Sequence, residues 1–255
     1  MKIAICTKRD IFGAMILSQM LPRLKSHELI VLLADRTRNS EVSDATLGEI
    51  KFFERDLPES FGLFEQLEKK FKVPTHTVTK LTAGPGEELL RAFAPDLILS
   101  ARFSLIFKAD LIQLPRYGVY NVHPGALPGY GGLFAPFRGL LNGESHLGCT
   151  LHKIVDAGID TGPVCGLAKI EVRPERSLFW HISSLYPMGL ELFLSQLTKI
   201  EAGHHVDSRP QDPQVSRYYR MPEPSDFVDF KAKGFKLFES SDYLNLVQSI
   251  TSQLI

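Results

Sequence analysis

Four apolar runs, separated by stretches with helical spacing, constrain this chain more than any other feature. They are KIAICT (residues 2–7), ELIVLLAD (28–35), PDLILSARF (95–103) and YGVYNVH (117–123). Runs this continuous leave no face for water, which is the pattern of strands buried on both faces. Between them, FGAMILSQMLPRL, LFEQLEKKF and EELLRAFA repeat apolar residues at helical spacing, the last ending before Pro95. THTVTK reads as a further short strand, and RTRNSEVSD as a polar loop. Buried strands alternating with helices predict an α/β fold: a mainly parallel sheet with helices on both faces.

The second half is less regular. A loop rich in Gly and Pro follows His123, then a helix over 135–142. GCTLHKIV and VCGLAKIEV read as strands on either side of DAGIDTGP (156–163). FWHISSLYPMGLELFLSQLTKI is a long helical pattern with a break expected at Pro187. From Gly203 onward the chain is more polar, SRPQDPQ is linker-like, and the tail ends in a helix, SDYLNLVQSITSQL. The expected organisation is a catalytic domain over 1–203 and a short C-terminal extension over 204–255. Phe227, Phe230, Phe235, Leu237 and Phe238 give that extension an apolar stripe to be buried against the core or a partner subunit.

Composition narrows the function classes. Of 255 residues 44% are hydrophobic, enough for a sizeable core, and Lys plus Arg equals Asp plus Glu at 29 each. No basic excess points to nucleic acid as a partner. No apolar run is long enough to span a membrane, and the N-terminus enters a strand without a signal-peptide pattern. Cys6, Cys149 and Cys165 form neither a disulfide framework nor a CxxC metal site. The expected location is cytoplasmic. No metal site is expected: His204–His205 falls in the polar linker as a surface pair.

Asn121 and His123 are two apart on a strand, so their side chains share a face where that strand leaves the sheet. In open α/β sheets ligands bind beyond the carboxyl ends of the strands. Pro124 keeps His123 extended. Asn121 and His123 can equally be a turn-former and a half-buried structural histidine. Asp160, in the glycine-punctuated loop, tips the balance toward chemistry: a carboxylate beside an imidazole fixes its tautomer and favours its charge. Amide, imidazolium and carboxylate suit acyl transfer to an amine, two of them stabilising an oxyanion and the third assisting proton removal. The spacing leaves open whether Asp160 reaches His123. His152 lies on the strand leading to Asp160, either packed within the sheet or in contact with the site. Trp180 reads as core. GPGEE at Gly84 reads as a turn before a helix, and GYGG at Gly129 lacks the strand–glycine–helix order of a nucleotide loop.

The pair NVHPGALPGYGG and DAGIDTGP resembles the folate-dependent formyltransferases, which include glycinamide ribonucleotide formyltransferase, methionyl-tRNA formyltransferase and the sugar N-formyltransferases. The likeness extends over about 95–164, and more loosely over the first 200 residues. It implies a Rossmann-like fold, 10-formyltetrahydrofolate as the formyl donor, and catalysis by Asn121, His123 and Asp160. It also implies that the pterin lies between Leu105, Ile106 and Phe107 on one side and the loop of Asp156, Ala157, Gly158, Ile159 and Asp160 on the other.

The departures bear on the acceptor. CTKRDIFGA stands where glycinamide ribonucleotide enzymes carry a Gly-rich phosphate loop. Gly129 follows Leu127-Pro128 where methionyl-tRNA enzymes carry a basic residue, and the remaining tail is short for a tRNA-holding domain. The expected acceptor is therefore a small-molecule primary amine, with an amino-sugar nucleotide favoured over a methionyl-tRNA or hydroxyornithine-type amine. Similar sugar N-formyltransferases are dimers, which adds a homodimer to the expectations. The rival from another class is an NAD-linked oxidoreductase. Asp35 would suit its ribose-binding acid, but GxGxxG is missing after the first strand. A non-catalytic binding module on the same fold is a further rival, which the three polar residues argue against.

Overall fold

The computed structural model describes residues 1–35 and 62–254, so the polar stretch expected to be a loop after the second strand lies outside the described residues. The four apolar runs are β1 (Lys2–Lys8), β2 (Glu28–Ala34), β4 (Leu97–Ala101) and β5 (Val119–His123), and the short THTV run is β3 (Thr75–Val78). Between them come α1 (Ile11–Met20), α2 (Leu63–Phe71), α3 (Pro85–Phe93) and a single turn, α4 (Ala109–Ile112). Gly84 caps α3 with Pro85 in its first turn, where the missing N–H costs nothing.

Seven of the described strands form one sheet, in the order β3-β2-β1-β4-β5-β7-β8. β1 to β5 pair in parallel, while β7 (His146–Ile154) and β8 (Val164–Glu171) return antiparallel. The sheet is thus mainly parallel, as expected. The chain order reverses between β1 and β4, opening a crevice at their carboxyl ends where such folds bind ligands. One core packs α1 and α6 (Leu178–Glu201) on one face of the sheet, and a second, holding Leu90, Leu105, Phe107 and Val119, fills the other.

One expectation for the second half is corrected. No break occurs at Pro187, since α6 runs unbroken from Leu178 to Glu201. Leu185, Tyr186, Leu190, Phe193 and Leu197 are all buried on both sides of the proline, so tertiary packing outweighs one lost hydrogen bond. The tail also holds an additional helix, α7 (Pro224–Ala232), before α8 (Ser240–Ser252). Asp226 accepts from the Glu223 backbone N–H at 2.7 Å, which caps the start of α7.

The apolar stripe of the tail is covered by the chain's own core. Phe227 and Phe230 pack on Phe137 of α5 (Ala135–Leu141), with ring centroids 4.9 and 4.5 Å away, and all three are buried. Phe238 and Tyr243 meet Phe179 of α6. These aromatics therefore supply no reason to expect a partner subunit.

Phe230→Ala should empty a site with no solvent exposure and cost about 3–5 kcal/mol in urea unfolding. A loss below about 1 kcal/mol would show that the tail contributes little to the core.

Candidate active site

β5 ends in Asn121 and His123, whose alternation sets both on the same face at the strand's carboxyl end. The antiparallel return of β7 then matters, because its register sets His152 directly opposite Asn121. The loop between β7 and β8 turns back through Asp160, which adopts a left-handed backbone at φ 58°. Non-glycine residues rarely hold this conformation unless their surroundings enforce it. Arg102 and Phe134, which line the same cavity, share it at φ 60° and 56°.

Asp160 is the meeting point. Its Oδ2 lies 3.4 Å from His123 Nδ1 and accepts from the Gly132 backbone N–H at 2.9 Å. Its Oδ1 lies 3.4 Å from both His152 Nε2 and Asn121 Nδ2. His123 Nε2 faces the Tyr130 carbonyl at 2.7 Å. Both ring nitrogens of His123 thus face acceptors, and the imidazolium, with two N–H donors, satisfies both. His152 Nδ1 lies 3.0 Å from the Lys153 carbonyl, and its Nε2 lies 3.0 Å from Asn121 Nδ2. Burial by itself would raise the Asp160 carboxyl. The His123 charge, the His152 hydrogen bond and the Gly132 N–H outweigh it and bring the group from 3.8 down to about 2.

Gly132 is needed for this arrangement. It sits at φ 90° in β6 (Gly131–Gly132), and a Cβ there would meet the Tyr219 carbonyl at 2.3 Å. GYGG is therefore a close-packed loop that delivers one N–H to Asp160.

These groups open onto a cavity of about 370 Å³. Leu105, Ile106, Phe107, Asp156, Ala157, Gly158 and Ile159 all line it together with Asn121, His123 and Asp160, so every candidate residue is brought to one place. Ile106 and Ile159 are 52% and 40% exposed, apolar groups left open to solvent beside the cavity. His152, buried among these residues, is in contact with the site. The β5–β7 register that places it there is not visible from the sequence. Lys8, Phe12, Arg102, Phe179 and Tyr186 also line the cavity, and sequence reasoning missed them. Lys8 and Arg102 had a usable signal, since they stand at the carboxyl ends of β1 and β4 on either side of the crevice. Arg102 Nε bonds the fully buried Asp10 at 2.5 Å, and Asp10 in turn caps α1 through the Gly13 N–H at 2.9 Å. Trp180 is only half-buried, between Arg173 and Arg176, rather than in the core. His204 and His205 are exposed, as expected. Among the described residues, no cluster of three or more His, Cys, Asp or Glu side chains could hold a metal ion, and no helix is long and apolar enough to cross a membrane.

Residues 68–179 match the family described as formyl transferase. The methionyl-tRNA formyltransferase of Kosmotoga olearia is 32% identical over 154 residues, covering 60% of this chain and 49% of that protein. The chain thus spans about half the length of the curated relatives it matches. Glycinamide ribonucleotide transformylase 1 from Symbiobacterium toebii superposes with a TM-score of 0.61 at 16% identity, over 83% of this chain and 94% of that one. An N-formyltransferase from Helicobacter canadensis, solved with folinic acid and dTDP-3-aminofucose, gives 0.56 at 21% identity, over 86% and 70%. At such identities the two structures speak for a common fold.

The depressed Asp160 carboxyl has a stability consequence. Its contribution is fully present above the unfolded value near 3.8 and drains away as pH falls through the folded value of about 2. The stability of the wild type relative to Asp160→Asn should therefore shrink as pH falls from about 4 to about 2. Thermal melts across that range read it directly, and a pH-independent difference would mean that the carboxylate is not held by charge.

Proposed function

We propose that this chain, whose residues 68–179 match the formyl transferase family, moves a formyl group from 10-formyltetrahydrofolate to a primary amine. The observation that carries the reading is the convergence of Asn121, His123 and Asp160, with nitrogen–oxygen distances of 3.4 Å, on the wall of one cavity. The residues fit a reduced folate. Leu105, Ile106 and Phe107 line one part of the cavity and the 156–160 loop another, offering apolar surface and backbone polar groups to a flat heterocycle.

When bound, the folate supplies an activated formyl group. Asn121 offers its amide N–H to the formyl oxygen as negative charge develops there, and the positive charge of His123 stabilises the same oxygen. Asp160, facing His123, would draw the proton that leaves the attacking amine, and an equivalent proton would pass to the folate nitrogen as its bond to the formyl carbon breaks. Long hydrogen bonds in a site without its substrates shorten as the reacting groups enter. No side-chain nucleophile is required.

The proposed acceptor is a small molecule, and an amino-sugar nucleotide has the support of the fold shared with the Helicobacter canadensis enzyme. A second reading also has an observation behind it. The wall on the α1 and α6 side carries Phe12, Phe179, Ile182 and Tyr186, which suits an amine with an apolar substituent. The methionyl-tRNA formyltransferase relatives support an aminoacyl amine of that sort. A cytoplasmic location is supported by three free thiols, two of them buried. The oxidoreductase reading is disfavoured by Asp10, whose carboxylate occupies the N-terminus of α1, where a dinucleotide would set its pyrophosphate.

In single-turnover formyl transfer, His123→Ala should lose the most rate. Asn121→Ala should lose about 10²–10³-fold as one preorganised donor is removed. Asp160→Asn should lose at least ~10²-fold. Folate affinity should stay near wild type in the first two, and His204→Ala should behave as wild type. Near-wild-type turnover in His123→Ala or Asn121→Ala would sink the catalytic assignment.

A further inference from the structure

The segment between α6 and α7 reads as a linker in sequence, yet it grips both loops that build the site. Gln211 Nε2 donates to the carbonyl oxygens of Asp160 and Gly162, at 2.7 Å each. Its amide orientation is fixed by these bonds, because the flipped form would set Oε1 against two carbonyls; as placed, Oε1 has no hydrogen-bond partner. Two residues earlier, Arg209 and Val164 exchange backbone hydrogen bonds of 2.8 Å in both directions, tying the segment to the start of β8. Asp212 then folds the chain back by accepting from the Gln214 N–H at 2.9 Å.

The same segment next reaches the glycine loop. β9 (Tyr218–Tyr219) pairs in parallel with β6. Gly131 N–H donates to the Arg217 carbonyl at 3.0 Å, Leu133 N–H to the Tyr219 carbonyl at 2.8 Å, and Arg217 N–H to the Pro128 carbonyl at 2.9 Å. This glycine loop supplies the Gly132 N–H to Asp160 and the Tyr130 carbonyl to His123. Residues 209–219 therefore connect the carboxylate's own loop to the loop that holds both the carboxylate and the imidazole.

We infer that residues 209–219 brace the site, and that Gln211 is the positioning residue that holds the Asp160 loop at the correct distance from His123. Asp160 needs such support because its left-handed backbone is strained and no glycine relieves it. Gln211 touches backbone oxygens on the far side of the carboxylate's own residue, so it acts through Asp160. The groups that face the carboxylate are His123 from β5, His152 from β7, Asn121 and the Gly132 N–H. Their alignment with Asp160 depends on where the loop is held. The catalytic consequence rests on the formyl-transfer reading; the brace itself does not.

Two variants of the full chain test it. Gln211→Ala removes both donors. Gln211→Glu keeps the shape but presents carboxylate oxygens to two carbonyls. Circular dichroism and melting report whether each is folded. In the folded variants, carbon NMR of the Asp160 carboxyl, recorded without folate, should show titration beginning at higher pH than in the wild type, more so for Gln211→Glu. Single-turnover formyl transfer should fall at least ~10-fold, as expected when a reacting group is misplaced by a fraction of an ångström. An unchanged Asp160 titration in a folded variant would overturn the brace. A shifted titration with an unchanged rate would overturn the positioning role. If both variants fail to fold, Gln211 is a folding residue and the inference falls. If the wild type itself transfers no formyl group, the carboxyl titration still decides the brace, and only the function reading is lost.

Discussion

A nearly buried carboxylate has to be paid for locally, and around Asp160 that requirement organises everything near it. Its side chain is 8% exposed, so its charge survives only because an imidazole, a second ring, an amide and a backbone N–H converge on two oxygens. Removing any one of these leaves the rest poorly matched, which makes the cluster a single unit. The strained backbone of Asp160 belongs to the same bargain. It turns the carboxylate toward β5 while its own carbonyl points away, toward Gln211.

The fold supplies this convergence from three directions. The parallel half of the sheet ends β5 at the crevice and points Asn121 and His123 into it. The antiparallel half brings β7 back beside β5, so His152 and the loop beyond it arrive on the same edge. The close-packed glycine loop closes the third side. The two hydrophobic cores, one on each face of the sheet, meet the cavity with different surfaces: Leu105 and Phe107 from one, Phe12, Phe179 and Tyr186 from the other. A folate on the first side and an amine on the second would bring their reacting atoms together at Asp160.

Much of this could be read from the residues themselves, for physical reasons that also explain what could not. The buried strands were readable because parallel strands cannot afford polar faces, and Asn121 and His123 because a strand's alternation is fixed. The Asp160 loop was readable from its glycines and from the resemblance that DAGIDTGP carries. His152 was not settled, since its partner depends on β7 running antiparallel and in a particular register, which no local pattern encodes. Pro187 misled because propensity is local while α6 is held by packing along its length. Gln211 was invisible because its work is done by one side-chain amide on two backbone oxygens, inside a stretch whose prolines and polar residues look like a linker.

The central claim is that this site carries a formyl group from a reduced folate to an amine. It is tested most directly by incubating the full chain with 10-formyltetrahydrofolate carrying ¹³C in the formyl carbon, alongside amino-sugar nucleotides, hydroxyornithine, methionyl-tRNA and apolar primary amines. The account predicts that the label appears as a formamide on at least one of these amines, and that His123→Ala abolishes its appearance. Label that stays on the folate, or is released only as formate, with every amine recovered unmodified, would contradict it.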